Sequence, residues 1–99
     1  MATVDVAVPC YQYGDYLRGC VASVLSQDVS DLRIAIIDNA STDDSLRVAR
    51  QLAAEDRRVE VIAHSTNLGQ HASFNEAVDW AKSKYFMLLC ADDLLVDRI

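Results

Sequence analysis

The sequence predicts an α/β fold: three layers, a mostly parallel sheet, and helices alternating with strands along the chain. Three observations carry this. Short runs of β-branched and apolar residues recur four times, and the segments between them place apolar residues at helical spacing. The last run, Tyr85 to Cys90, is apolar without interruption from Phe86 onward. That is the pattern of a strand buried on both faces, as in a parallel sheet.

The first strand is expected over Thr3–Pro9, where Val4, Val6 and Val8 alternate with Thr3, Asp5 and Ala7. Pro9 is expected to end it, because proline has no N–H for a ladder. The turn-like YQYGD follows. Asp15 is the expected N-cap of a helix from about Tyr16 to Gln27, with Leu17, Val21, Val24 and Leu25 on one face. LRIAIID, Leu32 to Asp38, reads as the second strand. After the NAST loop, Ser41 and Asp44 fit an S-x-x-D capping pattern for a helix running to about Asp56, with Leu46, Ala49 and Ala53 at helical spacing. Arg58–His64 reads as the third strand. STNLGQ is a loop in which Gly69 marks a special backbone position. The third helix carries Phe74, Ala77, Val78 and Ala81 on one face, and Phe74 and Trp80 are expected in the core. Alternation of this kind implies right-handed crossovers.

The composition is that of a packed domain: 99 residues, 52% hydrophobic and 24% charged, with three glycines and one proline. A net charge of −6 gives no general attraction for nucleic acid or anionic membranes. Three cysteines without close pairing or a CxxC pattern argue against a disulfide framework and a zinc site. With no signal-like N-terminus and no long apolar run, the reading is a reduced, cytoplasmic domain. An α/β domain that ended just after Asp93 would be unusually small. The chain is therefore expected to be the N-terminal piece of something longer.

In open parallel sheets, ligands bind outside the carboxyl ends of the strands, where the strand order reverses. With the order 3-2-1-4 that point lies between the first and fourth strands. The residues leaving those ends are Pro9, Cys10 and Tyr11, then Asp38 and Asn39, then Asp92 and Asp93. Adjacent carboxylates repel unless a cation or donors compensate. Hard divalent ions such as Mg2+ take oxygen ligands and often hold only one or two protein carboxylates beside substrate phosphates. Equally, Asp92 and Asp93 would suit the N-terminus of a following helix. Asp38 and Asn39 could meet a ribose or base, or form an Asx turn. Tyr11 could stack on a base or simply pack. His64 reads as structural, whereas His71, at a helix start, could touch a phosphate. The cysteines read as small hydrophobes.

Taken together, VAVPCYQYGDYLRGCVASVLSQ, IIDNASTDDS and NLGQHASFNEAVDWAKSKYFMLLCADD resemble the N-terminal half of a family 2 glycosyltransferase with the Rossmann-like GT-A fold. The resemblance runs from about Val4 to Asp93 and implies a GT-A domain broken off after the fourth strand. Residues 1–99 would then be its nucleotide-diphospho-sugar-binding part. It implies a hexosyltransferase-type parent that uses Mg2+ or Mn2+ and transfers a sugar, with inversion, to an acceptor hydroxyl on a saccharide, lipid or protein. Pro9, Cys10 and Tyr11 match the P-x-Y-N segment lying against the base, and Asp38 and Asn39 match the pair that contacts base or ribose. Asp92 and Asp93 fall in the D-x-D-D region, whose acids contact ribose and the diphosphate-bound metal. Cys90 stands where that pattern has its first acid, Gln12 where Asn is commoner, and Asn39 where the pair has a second acid. The family's catalytic base lies well beyond this region, so it is expected after residue 99, and the 99 residues alone are expected to bind without transferring. A lipid acceptor would place the parent at the inner membrane face.

The alternative is a non-catalytic nucleotide- or metal-binding or interaction module on the same scaffold. A dinucleotide-binding oxidoreductase would need G-x-G-x-x-G where PCYQYGDY stands. A phosphoacceptor receiver would need acids after the first and third strands, where Pro9-Cys10 and His64-Ser65 stand. Self-association is expected if the sheet exposes apolar surface.

Overall fold

The structure, a computed structural model, describes residues 4–10, 14–26, 31–66, 68–83 and 85–89. The elements are β1 (Val4–Cys10), α1 (Gly14–Leu25), β2 (Leu32–Asp38), α2 (Ser45–Glu55), β3 (Val59–Ala63), α3 (Gln70–Trp80) and β4 (Tyr85–Leu88). The strands form one parallel sheet in the order β3-β2-β1-β4. The order therefore reverses between β1 and β4, as the alternating pattern implies.

Alternation along the strands sorts the core into two layers. Val4, Val6, Val8 and Cys10 of β1 and Leu32, Ile34 and Ile36 of β2 pack with Leu17, Val21 and Val24 of α1 and Val48, Ala49 and Leu52 of α2. On the other face Ala7 and Ile37 meet Ala77 of α3, flanked by Ile62 and Trp80. Ala7 and Ala35 are register partners on that face. Their small side chains let α3 lie close to the middle of the sheet.

Several boundaries differ from the sequence reading. β1 runs through Pro9, which pairs with Ile37, and on to Cys10. The Cys10 carbonyl accepts from Asn39 of the β2 side, whereas the Ala7 carbonyl accepts from Leu89 on the β4 side. Pro9 shares the orientation of Ala7, and the β1–β4 register ends at Ala7↔Leu88. The missing N–H thus faces the side where, among the described residues, the ladder has stopped, so the proline interrupts no bond there. Asp15 is the second residue of α1 rather than its cap. The Ser41–Asp44 capping box does not form. α2 starts at Ser45, Asp44 pairs with Arg47, and Asp43 Oδ1 accepts from both the backbone N–H and the hydroxyl of Ser45. The buried stripe of α2 is Ser45, Val48, Ala49 and Leu52, not Leu46, Ala49 and Ala53. Gly69 precedes α3 with φ 88°, a left-handed value that requires glycine even though a Cβ would meet nothing.

β4 is not buried on both faces. Met87 and Leu89 pack against the α1/α2 layer, but Phe86 and Leu88 are more than a third exposed, and so is Val78 of α3. α3 lies over β1 and β2. Phe86 and Leu88, on the α3 side of the neighbouring strand, are left uncovered among the described residues. Phe74 and Trp80 are only partly buried.

The polar member of β1 that alternation would send to water is instead fully buried. Asp5 takes both ends of the Arg33 guanidinium, Nε to Oδ1 at 2.9 Å and a terminal nitrogen to Oδ2 at 2.6 Å. Arg33 is its register partner on β2. Oδ2 also accepts the backbone N–H groups of Lys82 and Ser83, and Oδ1 accepts the Ser83 hydroxyl. Arg33 lies 4.5 Å from the Trp80 ring centroid, and Trp80 Nε1 donates to Glu60 on β3 at 2.6 Å. One carboxylate thereby ties β1, β2, the end of α3 and the turn into β4. Burial alone would raise the Asp5 pKa. The bonds from Arg33, then Ser83 and the two backbone amides, outweigh it and hold the carboxyl far below the usual carboxylate range.

Asp5→Ala should lower unfolding free energy by about 3 kcal/mol, since it strands a guanidinium and two turn amides together. Urea denaturation measures this. Because the folded pKa is depressed, the contribution is complete above the unfolded carboxylate value and fades as pH falls below about 4. The wild type should therefore lose more stability than Asp5→Ala on acidification through that range.

Candidate functional site

The carboxyl ends of β1 and β2 bring Pro9, Cys10, Asp38 and Asn39 together. Cys10 and Asp38 are register partners, and Asn39 N–H bonds the Cys10 carbonyl at 2.9 Å. Cys10 belongs to the hydrophobic core on the α1/α2 face, in line with its reading as a small hydrophobe. Tyr11, Asp92 and Asp93, and the side chain of His71, lie outside the described residues. Among the described residues no group of three His, Cys, Asp or Glu could hold a metal ion. No described helix is long and apolar enough to cross a membrane.

Asp38 and Asn39 are neighbours in sequence but leave the sheet on opposite faces. Asp38 follows Ile36 toward the α1/α2 layer, and Asn39 follows Ile37 toward α3. Asp38 is 1% exposed. Its Oδ2 accepts from Ser41 N–H at 3.1 Å, which is the Asx-turn role the sequence allowed. Its Oδ1 is buried and has no hydrogen-bond partner among the described residues. A buried carboxylate oxygen without a donor is costly, so it marks a place where a donor belongs. Ala40, the residue after them, adopts φ 59°, a left-handed value that residues other than Gly, Asn or Asp rarely take.

Asn39 is built into a network the sequence reading missed. Its Oδ1 accepts Leu68 N–H at 2.9 Å and lies 3.0 Å from His64 Nδ1. The other ring nitrogen of His64 bonds Glu76 Oε1 on α3. The β2–β3 register pairs Asp38 with Ala63, which sets the next residues, Asn39 and His64, side by side. Nothing in the spacing of His64 or Glu76 signals this. It becomes visible only once β3 is known to lie beside β2.

In an open parallel α/β sheet, the point where the strand order reverses, beside these carboxyl ends, is where ligands bind. Residues 5–98 match Glycosyl transferase family 2, and the chain belongs to that family. It is 36% identical over 92 residues to a chondroitin synthase of Pasteurella multocida, covering 93% of this chain and 9% of that one. The mannosyltransferase PcManGT from Pyrobaculum calidifontis, solved with GDP-Man and Mn2+, superposes with a TM-score of 0.86 at 22% identity, over 95% of this chain and 28% of that one. S. aureus TarS 1-349, solved with UDP-GlcNAc, gives 0.80 at 23% identity, over 95% and 27%. The fold is thus that of GT-A glycosyltransferases, and the chain spans a third or less of these relatives' lengths.

Ala40→Gly should raise stability by about 1 kcal/mol by releasing the left-handed strain. Thermal denaturation of the two forms reads it as a higher midpoint for the glycine variant.

Proposed function

We propose that this chain is the donor-binding half of a glycosyltransferase, holding a nucleotide-diphospho-sugar for inverting transfer to an acceptor hydroxyl. Family membership and the nucleotide sugars bound by the structural neighbours support the class. The observation that carries the site is Asp38 Oδ1, a buried oxygen without a donor among the described residues, at the carboxyl edge of β2. A ribose hydroxyl or a base N–H has the chemistry to meet it. In this reading Asn39, which leaves the strand on the opposite face, would contact the base, as would Pro9, Cys10 and Tyr11 at the end of β1.

Asp92 would add a further contact to the nucleotide. With Asp93 it supplies the hard oxygen ligands that suit Mg2+ or Mn2+, and PcManGT was solved with Mn2+. Held there, an ion of that kind would neutralise charge on the leaving diphosphate. The acceptor oxygen forms a bond to the anomeric carbon as the sugar–phosphate bond breaks, and a carboxylate base takes the hydroxyl proton. That base and the acceptor-binding surface are proposed to lie in sequence beyond residue 99, in the region the relatives possess and this chain does not span. Self-association through uncovered Phe86 and Leu88 is part of the same proposal, and a monomer in sedimentation at high concentration would remove it.

Calorimetric titration with UDP, dTDP and GDP, each with and without Mn2+, tests the reading. One nucleotide should bind in a metal-dependent way, and Asp92→Ala or Asp93→Ala should weaken it at least roughly tenfold. Absence of binding in both this chain and a longer parent would leave a non-catalytic module on the same scaffold.

A further inference from the structure

The loop from β3 to α3 is held at both ends by one atom. Asn39 Oδ1 accepts Leu68 N–H at 2.9 Å, near the end of the loop, and lies 3.0 Å from His64 Nδ1 at its start. An oxygen accepts, so Nδ1 carries the proton of that bond. The His64 backbone N–H donates to the Asp38 carbonyl at 2.9 Å. The ring, 7% exposed, is braced from α3 by Glu76 Oε1 at Nε2. After Leu68, Gly69 turns the chain with φ 88°, and its carbonyl accepts Ser73 N–H in the first turn of α3. The loop backbone is thereby fixed to the carboxyl end of β2, one residue from Asp38.

What this clamp turns outward is Leu68. Its backbone is bonded, yet its side chain is among the most exposed large apolar groups of the described residues, at 58%. A single exposed leucine is ordinary on a protein surface. This one differs in standing on a fixed backbone at the edge where the ends of β1 and β2 converge. Ser65 and Thr66, exposed in the same loop, are polar. An apolar side chain gains when a ligand covers it and takes it out of water. Of the parts of a nucleotide-diphospho-sugar, the base presents a flat face that can do so, whereas the ribose hydroxyls and the diphosphate need polar partners.

We propose that Leu68 is a further contact of the donor site, an apolar platform for the face of the nucleotide base, and that His64 and Glu76 are the residues that position it. This inference rests on the donor-site reading above and adds to it a source of affinity. Every base has a flat face, so the contact strengthens binding of whichever nucleotide the site admits without reading the base edge. The clamp matters because a side chain already held in place loses little freedom when the ligand arrives.

The exposure of Leu68 makes the test clean, since shortening an exposed side chain takes little from the fold. The probes are UDP, dTDP and GDP with Mn2+, titrated calorimetrically into the 99-residue chain. For a nucleotide that the wild type binds, Leu68→Ala should raise Kd roughly fivefold at an unchanged thermal midpoint, and Leu68→Met should restore most of the affinity. His64→Leu should also raise Kd. In the double variant His64→Leu/Leu68→Ala the two losses should overlap rather than multiply, because a leucine no longer positioned has less to lose. Losses that multiply would overturn the positioning role of His64. If the wild type binds none of the three, the donor-site reading falls and takes this one with it. Wild-type binding that Leu68→Ala leaves unmoved removes this one alone. A reading independent of any variant comes from the saturated wild-type complex: the Leu68 methyl protons should show cross-relaxation with protons of the base, and its absence would overturn the proposal.

Discussion

The carboxylate of Asp5 is the constraint on which the sheet's assembly depends. It sits in β1, a strand with neighbours on both sides, and its bonds go to two separate parts of the chain, Arg33 and the turn Lys82-Ser83. Arg33 fixes β2 beside it, and the amides of Lys82 and Ser83 fix the turn that delivers β4. A buried charge is unfavourable by itself, but here a guanidinium, two amides and a hydroxyl meet it. Taking any one away leaves the others less well matched, so the arrangement favours one register of β4 against β1.

Helix α3 is fastened to the same face at two heights. At the amino end of the sheet, Trp80 bridges Arg33 and Glu60. Toward the carboxyl end, Glu76 reaches His64 and through it Asn39. Between them, Ala77 rests on Ala7 and Ile37, where small side chains allow close approach. The helix therefore passes the rigidity of the Asp5 cluster to the loop edge. The polar network at that edge sits on a packed support rather than on a loop alone, which is what precise placement of a binding group needs.

Much of the fold was legible because its signals are local. Alternating valines in β1, the apolar run of β2 and the helical spacing of Leu17, Val21 and Val24 each follow from one segment's own periodicity. The departures arose where a second segment decides. Ser41 and Asp44 have the spacing of a capping box, but Asp38 takes the Ser41 amide and Arg47 takes Asp44. Phe86 and Leu88 look like core, but the helix above them covers the two adjacent strands instead. Asp5 looks like the solvent side of an amphipathic strand, and only its cross-strand and loop partners make burial tolerable. Of the candidate site, Asp38 and Asn39 were readable from their place at a strand end, whereas His64 and Glu76 were not.

The sequence by itself determined the order of strands and helices, the membership of the chain in a glycosyltransferase family, and the acidic and amide groups offered at the strand ends. These are properties of periodicity, composition and short motifs, each contained in a few consecutive residues. The tertiary structure alone decided that Asp38 and Asn39 serve opposite faces of the sheet, that one oxygen of Asp38 is buried without a donor among the described residues, and that Asn39 meets a histidine 25 residues away. Hydrogen bonds act over about 3 Å and depend on direction. Which donor meets which acceptor is therefore set by strand register and helix placement, and no spacing along the chain encodes it.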